Sequence, residues 1–166
     1  MGNGSKLHTT LPTVPDTASW FDPNCEFCQI SHGLDETARI VCEAEDWVAF
    51  FPTDPATPGH TLVIPRHHVP DVWSLGPKLG TDLMSAVIKI GRAIEIALQP
   101  EGMNLISSSG AVAEQTVNHV HLHVVPRWRS DGIDRIWPPT HKMPERLKDD
   151  VADQVRAACA DLDNPA

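Results

Sequence analysis

The residues with the clearest chemical potential are three histidines, His119, His121 and His123, each separated from the next by one apolar residue. Alternation with a period of two predicts a β-strand over residues 119–126, with the imidazoles on one face and the apolar side chains on the other. Imidazole can serve as a nucleophile, as an acid–base group or as a metal ligand. The pattern makes this strand the leading candidate for a functional site.

The spacing of the three histidines limits how they could share a metal ion. Residues i and i+4 of an extended strand lie about 13 Å apart, whereas metal–nitrogen bonds are about 2.1 Å long. His119 and His123 therefore cannot bind one ion together, although one adjacent pair can. Three interpretations remain open: hydrogen-bonded core histidines, a metal site that uses an adjacent pair, and a nucleophilic or acid–base histidine beside groups that contact an anion.

A second group with chemical potential is the C-x-x-C pair of Cys25 and Cys28. Such a pair serves either redox chemistry or metal binding, and this one lacks the βαβ context of a thioredoxin-like site. Closing a tetrahedral zinc site requires two more ligands, for which His67, His68 and His119 are available. Two reduced cysteines near the surface are the alternative. No role is assigned to the remaining single histidines, at positions 8, 32, 60 and 141.

The elements that position these groups follow from hydrophobic periodicity. Two runs of strand formers, 38–42 and 47–51, are separated by four residues and predict a hairpin. Apolar residues at intervals of three and four predict a long helix from Pro77 to Leu98, closed by Pro100 and Gly102. Further predicted elements are strands over 60–65 and 103–107 and a helix over about 144–161. This order is typical of an α+β fold with an antiparallel sheet.

Composition restricts the classes of protein further. The chain has 166 residues, of which 41% are hydrophobic and 21% charged, as expected for one globular domain over 19–166. Residues 1–18 are rich in Thr, Pro and Gly and predict a flexible tail. A net charge of −9 argues against nucleic acid as a partner. We expect neither membrane association nor a secretory signal, and therefore a cytoplasmic protein.

Residues 115–127, QTVNHVHLHVVPR, resemble the signature of the histidine triad (HIT) superfamily, in which three histidines alternate with apolar residues after a Gln-Ser/Thr-Val element. Residues 25–28, CEFC, and 58–66, PGHTLVIPR, also resemble bacterial members, and the similarity extends from Cys25 to Trp137. The resemblance implies a HIT-like antiparallel sheet of about five strands, with one long helix and a C-terminal helix. It also implies a homodimer that binds nucleotides.

The resemblance further implies a nucleotidyl hydrolase or transferase that cleaves a nucleoside phosphoramidate or a dinucleoside polyphosphate. In that role His121 attacks the α-phosphorus, and a covalent nucleotidyl-histidine intermediate forms. The groups implied in phosphate or nucleotide binding are His123, Gln115, Thr116 and Ser108. The zinc-containing bacterial members imply a structural zinc site formed by Cys25, Cys28, His68 and His119.

Several positions depart from the family pattern. Pro52 stands where relatives often carry an acidic residue for the ribose hydroxyls, and Asp54 follows two residues later. Glu114 replaces the glycine before Gln115, and serines occupy 107–109. These departures favour, as an alternative, a nucleotide-binding regulatory module with little turnover. A zinc enzyme that uses metal-bound water is a third hypothesis, and it requires an open coordination position.

Overall fold

A computed structural model describes residues 20–134, 136 and 143–163. Five strands form one antiparallel sheet in the order β1-β2-β3-β5-β4, which confirms the predicted α+β class. Residues 1–18, predicted as a tail, lie outside the described residues. The strands are β1 Arg39–Glu43, β2 Trp47–Phe51, β3 Thr61–Pro65, β4 Gly102–Ile106 and β5 Leu122–Arg127, and the helices are α1 Glu26–Ser31, α2 Pro77–Leu98 and α3 Glu145–Asp163.

Helix α2 covers one face of the sheet. It begins with Pro77, whose missing N–H costs nothing in the first turn. It ends at Gln99, which adopts a left-handed conformation at φ 47°. Its buried face packs on the inward side chains of the central strands. The cluster consists of Ala49, Val63, Leu83, Ala86, Val87, Ile90, Ile94, Val120, Leu122 and Val124.

Helix α1 lies against the opposite face of the sheet. A second apolar cluster joins it to β2 and β3, and it contains Cys25, Phe27, Cys28, Val48, Phe50, Leu62 and Ile64. Since side chains alternate along a strand, the histidines of the triad lie on this face and their apolar neighbours lie under α2. The sheet therefore separates a purely apolar layer from the layer that carries the polar site.

The predicted bounds need one correction of consequence. Strand β5 begins at Leu122 rather than at His119, so His119 and His121 precede the strand. The backbone N–H of His119 donates to Val117 O at 2.8 Å, and that of Val120 donates to Val69 O at 2.6 Å. These bonds replace a sheet ladder in this stretch, although the alternation of the side chains is kept.

The residues after Gly132 form a separate compact unit. Its described helix, α3, spans Glu145–Asp163, close to the predicted 144–161. The apolar side chains Leu147, Val151, Val155 and Leu162 of this helix are exposed. Among the described residues, no helix combines the length and the apolar character that crossing a membrane requires.

Candidate active site and metal centre

His121 is the best-placed nucleophile of the triad. Its side chain is only 5% exposed. Its Nδ1 atom lies 2.7 Å from the carbonyl oxygen of His119, which can only accept a hydrogen bond. The proton of the neutral ring is therefore on Nδ1, and Nε2 keeps its lone pair. An imidazole held in this tautomer is prepared for attack through Nε2.

His123 belongs to a chain of hydrogen bonds that starts in the turn before β3. The backbone N–H of Ala56 donates to Nδ1 of His60 at 3.0 Å, so the proton of His60 is on Nε2. That Nε2 lies 2.9 Å from Nδ1 of His123 and donates to it. The proton of His123 is then on its own Nε2. The chain presents a neutral N–H donor beside His121, whose ring centroid is 4.9 Å from that of His123.

Burial keeps this chain neutral. It lowers the pKa of His123 to about 4, with smaller contributions from the neighbouring imidazoles of His121 and His60. Burial also lowers the pKa of His60. At neutral pH both rings are uncharged, so His123 acts as a hydrogen-bond donor and not as a cation.

A cavity of about 450 Å³ opens in front of these histidines. His60, His121 and His123 line one side of it. Apolar side chains from α1, β2 and β3 line another part: Phe27, Ile30, Phe50 and Leu62. This volume lies within the range of small-ligand sites, and a wall of this kind suits a flat aromatic group such as a nucleobase.

The mouth of the cavity carries polar residues. Asp54 lines it together with Pro52 and Thr53, so a carboxylate is present near the position where the family pattern has one. Thr116 lines this cavity and also a second one of about 410 Å³, which Cys25 and His68 line as well. The described lining of the larger cavity does not include Ser108 or Gln115.

The side-chain amide of Gln115 bonds to the backbone of its own loop and of the segment that follows β3. Its Nε2 donates to Pro70 O at 2.7 Å and to Val117 O at 3.0 Å, and its Oε1 accepts from Gly110 N at 2.8 Å. Ser109 adds a bond of 2.9 Å from its hydroxyl to the Asp71 carboxylate. The loop that carries Thr116 is thus fastened to the segment that follows β3.

Four residues form a cluster with metal-binding geometry: Cys25, Cys28, His68 and His119, whose donor atoms all lie within 4.8 Å of one another. Nδ1 of His119 is 3.5 Å from Cys25 Sγ and 3.6 Å from Cys28 Sγ. Nδ1 of His68 is 3.3 Å from Cys28 Sγ. A tetrahedral zinc ion separates its sulfur and nitrogen ligands by about 3.6 Å. The residues therefore fit zinc.

The chemistry of the donors supports the same reading. Nε2 of His119 donates to Pro65 O at 3.0 Å, which leaves Nδ1 unprotonated and directed at the thiols. Burial lowers the pKa of His119 to about 4, so the ring is neutral, as a ligand must be. Burial also raises the pKa of the Cys28 thiol to about 11, and a bound cation would favour the thiolate.

The family model for the HIT domain matches residues 34–130. This chain belongs to the HIT domain family. Among curated relatives, Protein hit of Bacillus subtilis is 38% identical over 115 residues, covering 69% of this chain and 79% of the relative. Adenosine 5'-monophosphoramidase hnt1 of Schizosaccharomyces pombe is 32% identical over 126 residues, covering 75% and 91%.

Solved structures agree with the HIT fold. SMU.412c from Streptococcus mutans UA159 superposes with a TM-score of 0.79 at 33% identity, covering 85% of this chain and 88% of that one. A zinc-bound histidine triad family protein from Mycobacterium smegmatis superposes with a TM-score of 0.62 at 34% identity, covering 81% and 97%.

One residue of the HIT site was not assigned a role from the sequence. His60 was treated as an ordinary single histidine, yet it is hydrogen-bonded to His123, 63 positions later. His60 is the first residue of the strand predicted over 60–65, and this position offered a signal, because side chains at the ends of neighbouring strands meet. The pairing of β3 with β5, which sets Leu62 opposite His123, makes the contact.

Proposed function

We propose that this HIT protein is a hydrolase or transferase that cleaves a nucleoside phosphoramidate or dinucleoside polyphosphate through a covalent nucleotidyl intermediate on His121. The observation that carries the proposal is the bond from His121 Nδ1 to the carbonyl of His119, because it leaves Nε2 free in a ring that lines the cavity. The hnt1 relative is named a monophosphoramidase, which supports a substrate with a phosphoramidate bond.

The proposed reaction has two steps at phosphorus. Nε2 of His121 attacks the α-phosphorus, and the bond from phosphorus to the leaving nitrogen or oxygen breaks. Water then attacks the phosphorus of the nucleotidyl-histidine and the bond from phosphorus to Nε2 breaks, which releases the nucleoside monophosphate and restores His121; another acceptor gives transfer instead. Such displacements depend mainly on in-line positioning and on stabilising the charge of the phosphoryl oxygens.

We assign that stabilisation to His123 and Thr116. The Nε2–H of His123 donates to a phosphoryl oxygen, and Thr116, which carries a hydroxyl, lines the same cavity. We propose that Gln115 contributes by shaping the loop around Thr116, since its amide is bonded to three backbone groups. Ser108 remains a predicted contact.

We infer a structural zinc ion bound by Cys25, Cys28, His68 and His119. Four protein ligands fill its tetrahedral coordination shell completely. A closed shell leaves no position for a metal-bound water, which disfavours the zinc-hydroxide hypothesis. The zinc-bound relative from Mycobacterium smegmatis supports the assignment. When bound, the ion would crosslink α1, the segment after β3 and the triad segment.

We also propose a homodimer in the cytoplasm. Strand β4 is at one edge of the described sheet, and edge strands pair readily. Met84 and Ile88 of α2 and Leu105 of β4 are exposed apolar residues, 42%, 52% and 48% accessible. We expect a dimer in sedimentation analysis and monomers after substitution of Ile88 and Leu105 by Asp.

Turnover of a defined panel tests the proposed activity. The panel contains adenosine and guanosine phosphoramidates and dinucleoside polyphosphates, presented to wild type and to His121→Asn and His121→Gly. We expect turnover in the wild type only, with nucleotide binding retained in the variants. Equal rates in wild type and variants would remove His121 as the nucleophile. Binding without any turnover in the wild type would support a regulatory module.

A further inference from the structure

We propose that Phe27 is a positioning residue that couples the metal centre to the nucleotide cavity, so that zinc and nucleotide each strengthen the binding of the other. This inference rests on the proposed nucleotide and zinc sites. It adds a role for the metal beyond holding the fold together, and it names the side chain that carries the effect.

Phe27 lies between the two cysteine ligands and also belongs to the cavity. It follows Cys25 by two residues and precedes Cys28 by one, and its side chain is 7% exposed. Its ring centroid is 5.2 Å from that of His121 and 5.5 Å from that of Phe50, in edge-to-face arrangements. The same ring lines the cavity. Any rotation of this turn of α1 therefore moves a cavity wall and a contact of the nucleophile.

Helix α1 cannot hold this orientation by itself. It has six residues, well below the length at which an isolated helix is stable. Its N-cap, Cys25, makes no side-chain capping bond. At the other end, the Arg66 guanidinium donates to Ser31 O. Bonds from the metal to Cys25 and Cys28 would therefore fasten the half of the helix that carries Phe27.

The other two ligands act on the loop that brings Thr116 to the cavity. His68 and His119 precede Val69 and Val120, whose backbones are joined by a bond of 2.6 Å. The next residue, Pro70, accepts from the Gln115 amide, which holds the loop of Thr116. The metal thus clamps both α1 and the base of the loop, and a nucleotide in the cavity contacts both.

Thermodynamic linkage makes the coupling reciprocal. A nucleotide that packs on Phe27 favours the orientation that the metal also favours, so each ligand raises the affinity of the other by the same factor. Coupling of this kind commonly amounts to about 5-fold or more in affinity. We expect a change of at least this size in the dissociation constant of zinc when adenosine monophosphate is saturating.

The test measures zinc affinity by competition with a chromophoric chelator, with and without saturating adenosine monophosphate. We expect tighter zinc binding with the nucleotide in wild type and no change in Phe27→Leu. Phe50→Leu is the matched control: its ring lines the same cavity and touches Phe27, but it lies on β2, outside the ligand turn. This control should bind the nucleotide more weakly and still show the zinc effect at saturation.

A second measurement uses cobalt-loaded protein and does not require a stable metal-free state. Adenosine monophosphate should change the cobalt–thiolate absorption bands in wild type and in Phe50→Leu, but not in Phe27→Leu. If the nucleotide fails to bind the loaded wild type, the proposed function is overturned and this inference with it. If the nucleotide binds while zinc affinity and the cobalt spectrum stay unchanged, this inference alone is overturned.

Discussion

His60 and His123 are joined by a hydrogen bond of 2.9 Å between Nε2 and Nδ1, although they lie 63 positions apart in sequence. The Ala56 N–H fixes the tautomer of His60, and His60 fixes that of His123. The backbone N–H of Ala56 therefore determines, through His60, which nitrogen of His123 carries the proton that faces the proposed phosphoryl group. This arrangement makes His60 a positioning residue for the HIT site.

Replacing His60 by Ala should slow turnover by about 3- to 10-fold, because loss of one neutral hydrogen bond costs about 0.5–1.5 kcal/mol. His123 would keep its place but lose its fixed tautomer. Steady-state kinetics on a phosphoramidate substrate measures the loss. In a His123→Ala background, the His60→Ala change should have no further effect. Full additivity of the two changes would contradict the proposed chain.

The lowered pKa of His123 predicts a stability that depends on pH. Its folded value is about 4 and its ordinary value is 6.5. Between these values the unfolded state binds the proton and the folded state does not, so stability falls as pH decreases from 6.5 towards 4. Above pH 6.5 the contribution is fully present.

Urea unfolding of zinc-loaded protein at pH 7, 5.5 and 4.5 measures this dependence. The free energy of unfolding should fall less in His123→Asn than in wild type over the same interval. The reason is that unfolding of the variant takes up as much as one proton fewer. Both proteins lose zinc in acid, so the difference between them carries the result. Parallel curves for the two proteins would show that His123 titrates alike in the folded and unfolded states.

Local periodicity was sufficient to predict the elements that carry the site. The interval of three and four in α2 is uninterrupted, and the structure has the helix over Pro77–Leu98 as predicted. Strand β2, Trp47–Phe51, also matches, because its apolar run is flanked by turn residues. The start of β5 did not follow from the pattern, because alternation continues through His119 and His121 while the backbone N–H groups of His119 and Val120 bond outside the sheet.

The site was only partly predictable for a related reason. A motif lists side chains but does not say which groups they bond. The amide of Gln115 bonds to the backbone of Gly110, Val117 and Pro70, and the motif does not distinguish these bonds from a contact with nucleotide. His60 depends on the register between β3 and β5, which is a long-range property.

The backbone conformation of Glu114 predicts that replacing this residue by glycine stabilises the protein. It adopts a left-handed conformation at φ 63°, which costs a residue with a side chain about 1–2 kcal/mol. Glycine avoids this strain, but it loses more conformational entropy on folding, which costs about 0.5–1 kcal/mol. Glu114→Gly should therefore raise the free energy of unfolding by about 0.5–1 kcal/mol. Chemical denaturation measures the change.

Glu114→Gln separates the effect of charge from that of the backbone. It removes the carboxylate and keeps a side chain at the same φ, so its stability should remain near that of wild type. A Gln variant as stable as the Gly variant would assign the gain to charge and would contradict the account of backbone strain.

Loss of one thiol should empty the metal site. Cys28 is fully buried, and its Sγ lies near both His68 and His119. Cys28→Ser should weaken zinc binding by more than about 100-fold. Loss of a residue that only hydrogen-bonds to a metal ligand typically weakens binding by about 10- to 100-fold. Metal analysis should find one zinc per chain in wild type. Cys42→Ser, a change outside the cluster, is the control and should retain the ion. Wild type purified with less than one zinc per chain would contradict the four-ligand site.

Chelation should then act on stability more than on chemistry. Because the proposed ion would hold three segments together, its removal should lower the unfolding temperature of wild type and leave that of Cys28→Ser unchanged. Thermal unfolding with and without chelator measures both. Equal shifts in the two proteins would show that the chelator acts elsewhere.

The proposed mechanism requires that His121 carries the nucleotidyl group during turnover. Single-turnover mixtures quenched in alkaline denaturant test this step by mass spectrometry of the intact protein and of its peptides. The samples are kept out of acid, because the bond between phosphorus and histidine hydrolyses there. We expect one nucleotidyl group on the peptide that contains His121, appearing before product and absent from His121→Asn. Product formation from wild type without any labelled protein, or a label on another residue, would contradict the proposed mechanism.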